Sequence, residues 1–509
     1  MTGALKRYFG FDGFREHQET VVGNVITEHD QLVVLPTGGG KSLCYQLPAM
    51  LMEGCAIVIS PLIALMRDQI LALQKRGITA ATINSSVTPE YRNSVEHAVR
   101  RGEVKLLYLS PETLMSAAGM QLTKQMKVSL IAIDEAHCIS QWGHDFRPEY
   151  AQLGVLKDQF PDRPIIALTA TADPATQQDI IRQLHLHNPI VTIGSFDRPN
   201  IYLEVRRGLK KQEKLREIIS FIESREVGAS GIIYCTKRDD TEMLMKYLNS
   251  KGLKALCYHA SMGNQERDMV HRLFLAGQVD IVVATVAFGM GIDKPDVRWV
   301  IHYNMPKNIE SYYQEIGRAG RDGERSDALL FYSYSDIFVL QKLIQNTPMQ
   351  HLSRSKMEYM KRYCEGNVCR RRVLLGYFGA EVDEDCGKCD VCLMPKGNQF
   401  DGTELAQKAM SAVARTHQQI GVEMLIDILR GSQQRLLLSN GYHLIPTYGV
   451  GRDLSALAWR EYIYQMIMLG VMSIDYSDRV NLHITPLGAD ILYGRKSLQL
   501  KHYRPLPRK

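Results

Sequence analysis

The chain contains no apolar run approaching the ~18 residues needed to cross a bilayer, so no membrane partner is expected. Its N-terminus, MTGALKRYFGF, lacks the apolar core of a secretory signal, and a cytoplasmic location is expected. Cysteine is sparse: ten residues in 509, without a secretory signal, argue for a reducing interior and against a disulfide framework. Neither sign of charge dominates. A net charge of +6 is only mildly basic and makes no global claim on nucleic acid. Distribution says more, because residues 494–509 carry six Lys or Arg and no acid, which suits a nucleic-acid footprint and a solvated tail equally. Tandem repeats and low-complexity tracts are also missing. What remains is an ordinary globular composition, long enough for three or four domains with ample core.

Two segments carry the chemistry. Residues 37–42 read Thr-Gly-Gly-Gly-Lys-Ser after an apolar run, QLVVLP, at 31–36. Three glycines let a strand turn tightly into a helix, so that backbone N–H groups and the helix N-terminus face phosphate oxygens. Thr37, Gly38, Gly39 and Gly40 would form the cradle, Lys41 would reach the β/γ-phosphates of a nucleoside triphosphate, and the Ser42 hydroxyl would sit on Mg²⁺. The second segment, Asp134-Glu135-Ala136-His137, follows the apolar run SLIAI and places Asp134 at a strand's C-terminal end, where open α/β sheets bind ligands.

The surrounding pattern alternates short apolar strands with helical stretches, as in parallel α/β domains. A first lobe spans 1–198, with strands expected at 31–36, 56–60, 105–110, 129–135 and 164–170. A second spans 199–335, with strands expected at 231–235, 254–259, 280–285, 299–304 and 327–332. Only the first has a phosphate loop, so nucleotide is expected in the cleft between lobes. Residues 336–400 turn helical, basic and then cysteine-rich. Residues 401–509 read helix, helix, helix, hairpin (471–485), then the basic tail. The cysteines follow C-x16-C-x2-C-x2-C at Cys369, Cys386, Cys389 and Cys392. Two CxxC steps sharing Cys389 plus one remote thiolate can enclose Zn²⁺ tetrahedrally, and four sulfurs leave no open position, so the site reads as structural. Cys364 competes with Cys369 for the fourth place.

Together these motifs resemble the RecQ-type DNA helicases of superfamily 2 over nearly the whole chain. The phosphate loop has Leu35 where a strict GxxxxGK[ST] motif has Gly; TGGGKS is the form this superfamily uses. The resemblance implies two RecA-like parallel-sheet lobes, a helical zinc-binding subdomain and a winged helix. Arg15 and Gln18, in Phe14-Arg15-Glu16-His17-Gln18, would bind nucleotide, with Gln18 reading adenine. Asp134 resembles the Mg²⁺ ligand and Glu135 the residue activating water. Residues 168–172, LTATA, resemble the element that couples hydrolysis to lobe movement. In QEIGRAGRDG (314–323), Arg318 and Arg321 would stabilise γ-phosphate charge, Arg321 being modestly favoured; such a finger is worth ~10³–10⁵ in rate. Cys369 is favoured over Cys364 by the family pattern.

For DNA, the loop HCISQWGHDFRPEY (137–150) resembles an aromatic-rich sensor of single strands, with Trp142, His144, Phe146 and Arg147 as contacts. Stacking on aromatics contributes ~1–3 kcal/mol per base without sequence preference. Residues 60–65, 110–112 and 284–294 resemble backbone-binding elements, and Arg67 and Lys237 are candidate phosphate contacts. A recognition helix is expected over 453–469, and Tyr476 is a candidate wedge where a wing turns near 476–478. The resemblance implies 3′→5′ travel on single-stranded DNA, unwinding of forked or tailed duplex in repair, recombination or replication, nucleoid association and a single-strand-binding protein as partner. The HRDC domain of many relatives is not expected here. Two rival readings are an RNA helicase, and a DNA-stimulated translocase or switch that does not separate strands.

Overall fold

The structure is a computed structural model that describes residues 1–141, 143, 145–285, 288, 294–345, 349–380, 382, 384–393, 399–475 and 481–502. By internal contacts the chain forms two compact units. One comprises Met1–Asn200, Glu223–Val300 and Glu310–Ser326; the other comprises Ile201–Ile222, Ile301–Ile309 and Asp327–Lys509.

The first sheet has seven strands: β1 Gln31–Val34, β2 Cys55–Ile59, β3 Ala80–Ile83, β4 Leu106–Leu109, β5 Val128–Ile133, β6 Ile165–Thr169 and β7 Ile190–Ile193. Their order is β3-β4-β2-β5-β6-β1-β7, every pairing parallel. Helices cover a sheet of this kind on both faces, so its inner strands read as unbroken apolar runs; β1, β2, β4, β5 and β6 are buried at every position. Two strands went unforeseen, and both are at edges. β7 alternates half-buried with exposed positions, and β3 contains only AATI, so neither carries the long apolar signature. The order also puts the ends of β5, β6 and β1 side by side, which is where the two sequence segments meet.

A second sheet orders β10-β11-β9-β12-β13-β8, with β8 Ile201–Arg207, β9 Gly231–Tyr234, β10 Ala255–Tyr258, β11 Ile281–Ala284, β12 Trp299–His302 and β13 Ser326–Tyr332. The five expected strands are present, and β8, a seven-residue edge strand alternating buried with half-buried residues, is the addition. Helices Gln350–Glu365 and Arg370–Tyr377 lead into the cysteine cluster.

In the C-terminal region, helices Thr403–Arg415, Val422–Arg430 and Ala456–Met468 precede an antiparallel hairpin of β15 Met472–Asp475 and β16 Asn481–Ile484. The recognition helix starts later than expected, because the Ser455 hydroxyl accepts the Ala458 N–H and caps it there. The basic tail corrects a sequence expectation. Part of it is neither frayed nor free: β17 Gln499–Lys501 pairs antiparallel with β14 Gln399–Asp401, and Leu500 is buried. A partner strand so distant in sequence leaves no local signal. Among the described residues no helix is long and apolar enough to cross a membrane.

Candidate nucleotide, zinc and DNA sites

The loop after β1 is shaped by its glycines. Gly38 and Gly40 adopt left-handed conformations (φ +83° and +75°), which an L side chain resists. A Cβ on Gly40 would also fall 2.3 Å from the Gln18 amide nitrogen. The turn closes through the Gly39 N–H donating to the Pro36 carbonyl at 2.9 Å, and helix Leu43–Leu51 follows directly. The Lys41 ammonium donates to the Leu35 and Pro36 carbonyls at 3.1 and 3.3 Å. Desolvation lowers its pKa, and the carboxylates of Glu135 and Asp134 partly oppose that shift. Gln69 donates to the Ser42 hydroxyl at 3.0 Å.

Gln18 and Arg15 lie against the same loop. The Gln18 side-chain amide donates to the Gly40 carbonyl at 3.1 Å, its carbonyl accepts the Arg15 N–H at 2.8 Å, and the Arg15 guanidinium donates to the Gly38 carbonyl.

Asp134 and Glu135 follow β5. Desolvation, reinforced by the neighbouring Glu135 charge, pushes the Asp134 carboxyl up to about 7. Glu135 adopts a left-handed backbone (φ +49°), and its Oε2 is buried without a hydrogen bond, with His137 Nδ1 3.3 Å away. Two acids facing a lysine, one with a raised pKa and one with an unsatisfied oxygen, fit a divalent cation held between them and phosphate. The same His137 nitrogen is 3.0 Å from the Thr169 hydroxyl, and Gln314 donates to the Thr171 hydroxyl at 3.2 Å. A polar chain therefore runs from the acids through the end of β6 to the arginine-bearing segment. Burial keeps His137 neutral by lowering its pKa.

That segment supplies the arginines. The Arg321 side chain packs on the phosphate loop, its Cγ 3.4 Å from where a Gly38 Cβ would lie. Arg318 is buried beside Tyr234, whose hydroxyl hydrogen-bonds it. The two arginines therefore occupy different surroundings.

The four cysteines of the second unit converge. Cys369, Cys386, Cys389 and Cys392 have all their sulfurs within 4.8 Å of one another, with Cys389 Sγ 3.4 Å from Cys392 and 4.0 Å from Cys369. A tetrahedron with Zn–S bonds of about 2.3 Å spaces its sulfurs by about 3.8 Å, whereas a disulfide needs about 2.05 Å. Cys364 is buried outside this group, so Cys369 fills the fourth place. Next to the cluster, Arg370 pairs with Asp390 at 2.9 Å, and the other Asp390 oxygen accepts the Val205 N–H of β8 at 3.0 Å.

Comparison with known proteins agrees with this geometry. Residues 15–180 match the DEAD/DEAH box helicase family and 210–323 the helicase conserved C-terminal domain. Residues 334–393 match the RecQ zinc-binding family and 396–509 the RQC domain. The ATP-dependent DNA helicase RecQ of Haemophilus influenzae is 46% identical over 500 residues, which cover 97% of this chain and 80% of that protein. The chain belongs to the RecQ family.

The Bacillus subtilis ATP-dependent DNA helicase RecQ is 37% identical over 503 residues, covering 98% of this chain and 84% of that protein. This RecQ-family chain is an ATP-dependent DNA helicase that uses ATP and Mg²⁺ and binds zinc through its four-cysteine cluster. Two solved helicases share its fold at 18% identity, a likeness of fold alone. They are Mycobacterium smegmatis Lhr bound to ssDNA and AMP-PNP (TM-score 0.53, 95% of this chain and 60% of that one) and MrfA bound to DNA (TM-score 0.55, 75% and 55%).

The expected DNA contacts fare unevenly. Trp142, His144, Tyr476 and most of 284–294 lie outside the described residues. Phe146 is exposed. Arg147 donates to the Pro61 carbonyl at 3.3 Å and pairs with Asp145 at 3.3 Å. The loop is tied to the acids below it: Tyr150 donates to the Asp134 carbonyl at 3.1 Å, and the Arg147 N–H to the Cys138 carbonyl at 2.9 Å. Arg67 is paired with Asp268 at 2.9 Å, and Lys237 stands exposed at the start of helix Arg238–Ser250.

Two residues at the nucleotide site escaped the sequence reading, Gln69 and Arg198. Gln69 looks like any polar residue of a helix. Arg198 is one arginine in a connector, and only the fold shows that it reaches the phosphate loop.

Proposed function

We propose that this helicase moves 3′→5′ on single-stranded DNA and opens forked or tailed duplex ahead of it. In this reading Lys41 and Gly38–Gly40 hold the phosphates, Ser42 and Asp134 hold Mg²⁺, Glu135 activates water, and Arg15 and Gln18 hold the base. Arg321 acts as the arginine finger, with Arg318 supporting it. Phe146 and Arg147, with Trp142 and His144, stack on and neutralise the single strand, and Tyr476 acts as wedge at the fork. In this reading the division of labour runs over functional segments 1–198, 199–335, 336–400 and 401–509. Repair, recombination and replication are the settings in which such a motor works, with nucleoid DNA as substrate and a single-strand-binding protein meeting the winged helix.

One observation supports the hydrolytic part of this reading. The Arg321 side chain lies on Gly38, within the same unit as Lys41, Asp134 and Glu135. Fingers of this kind stabilise charge that develops only during γ-phosphoryl transfer, so hydrolysis depends on where the arginine segment stands. Opening duplex costs about 1.4 kcal/mol per base-pair step in stacking, a cost that ATP turnover on an advancing motor can meet.

The test is ATP·Mg²⁺-dependent strand separation on DNA duplexes with a 3′ or a 5′ tail, with RNA equivalents alongside. Separation of the 3′-tailed DNA alone is expected. Equal opening of both tails removes the polarity, and DNA-stimulated hydrolysis without separation makes the protein a translocase or switch.

A further inference from the structure

Arg198 makes a contact that its position in the chain does not suggest. It lies in the connector 196–200 and is half-buried. One terminal guanidinium nitrogen donates to the Thr37 carbonyl at 3.3 Å and the Gly317 carbonyl at 3.2 Å. The other donates to the Ala319 and Gly320 carbonyls, each at 2.8 Å. Thr37 opens the phosphate loop, and residues 317–320 form the turn that carries Arg318 and leads into Arg321. A single planar fork thus fastens the loop to the turn, entirely through main-chain oxygens.

The connector is itself held in place. Tyr313 donates to the Phe196 carbonyl at 2.8 Å, and the Asn200 side-chain amide donates to the Gly320 and Glu324 carbonyls at 2.9 Å each. Gly320 has φ +57°, so the turn has a tightly bent backbone that these donors stabilise. Lysine cannot reproduce this contact. It is a point charge with three rotating donors, whereas arginine presents its terminal donors in one rigid plane.

We infer that Arg198 is a positioning residue for ATP hydrolysis, strapping the arginine-bearing turn to the phosphate loop so that Arg321 is delivered to the γ-phosphate at a set distance. It acts on the backbone and works through the arginines rather than on the nucleotide. The inference rests on the proposed finger role of this turn.

The experiment is a kinetic double-mutant cycle on the full-length protein with single-stranded DNA present. Arg198→Lys, Arg198→Ala, Arg321→Ala and each Arg198 variant combined with Arg321→Ala are compared by kcat and KM for ATP and by thermal unfolding midpoint. Arg198→Lys should lower kcat at least about tenfold, equivalent to about 1.4 kcal/mol of barrier, with KM within about threefold of wild type. In the Arg321→Ala background the same change should add little, because the group it positions is already gone. Should Arg198→Ala not fold, the lysine variant carries the test. Three outcomes overturn the inference: unchanged kcat in Arg198→Lys, a raised KM with kcat intact, which marks a nucleotide contact, or losses that multiply in the double variant. If Arg321→Ala alone turns over normally, the finger assignment has failed instead, and the cycle is read against Arg318→Ala.

Discussion

At the scale of single residues, the nucleotide site concentrates charge where water is scarce. Lys41 sits among carbonyls and faces two acids, one of which is driven up to about 7 by desolvation and its neighbour. Removing the ammonium leaves Asp134 and Glu135 without their counter-charge and removes the group proposed to hold phosphate. Lys41→Ala should therefore lower ATP turnover by about 10²-fold or more while DNA affinity at equal salt stays within about twofold. Steady-state ATPase alongside fluorescence anisotropy with single-stranded DNA checks both halves, and unchanged ATPase would displace the site. Gln18 makes a different kind of contribution, since its amide binds the loop through Gly40 and the Arg15 backbone. Gln18→Ala should raise KM for ATP about tenfold or more and narrow the preference for ATP over GTP, as measured by competition between the two nucleotides.

At the scale of elements, the zinc cluster is the part whose folding depends on a ligand. Four thiolates brought within 4.8 Å repel one another unless a cation sits among them, and structural zinc of this kind is worth about 10–16 kcal/mol. Its neighbour Asp390, paired with Arg370, accepts the Val205 N–H of β8, so loss of metal should loosen that strand's edge as well as the cysteine segment. Cys389→Ser, or prolonged chelation, should reduce bound zinc from one equivalent per chain to below about 0.2, with proteolytic nicking appearing between about residues 365 and 395. Zinc analysis with mass mapping of limited proteolysis is the check, and a zinc-free protein that resists nicking would contradict it. A cysteine spacing announces such an element in one dimension. The edge strands β3, β7 and β8 have no comparable mark, because an edge strand needs only one apolar face and a partner.

At the scale of the whole molecule, the question is how DNA is felt at the nucleotide. The loop that carries Phe146 and Arg147 is bonded through Tyr150 and Cys138 to the strand end holding Asp134 and Glu135, and His137 continues from there to Thr169. Under the proposed DNA-binding role of this loop, a strand stacking on it would act on the acids through these bonds. Phe146→Ala should cut stimulation of ATPase by single-stranded DNA about tenfold, with DNA-free turnover within about twofold of wild type. A titration of ATPase against oligonucleotide separates the two, and equal loss in both rates would make Phe146 a structural residue. Arg147 is already engaged with Pro61 and Asp145, so the phosphate contact proposed for it would require exchanging one partner for another.

The phosphate loop, the acidic pair and the Cys386-Cys389-Cys392 run could be read from the chain itself, because each needs particular residue types at short, fixed spacings; the arginine segment was legible only through the family resemblance. Backbone reach and bond geometry impose those spacings locally, so one dimension suffices to record them. Tertiary structure bore out the preference for Cys369 over Cys364, and it alone decided that Arg318 is buried beside Tyr234 while Arg321 lies on Gly38, and that Leu500 of the basic tail is interior. It also decided that Arg198 reaches the carbonyls of Thr37 and Gly317. Contacts to main-chain carbonyls between segments far apart in sequence leave no pattern, because every residue offers the same acceptor and only folding selects which ones meet.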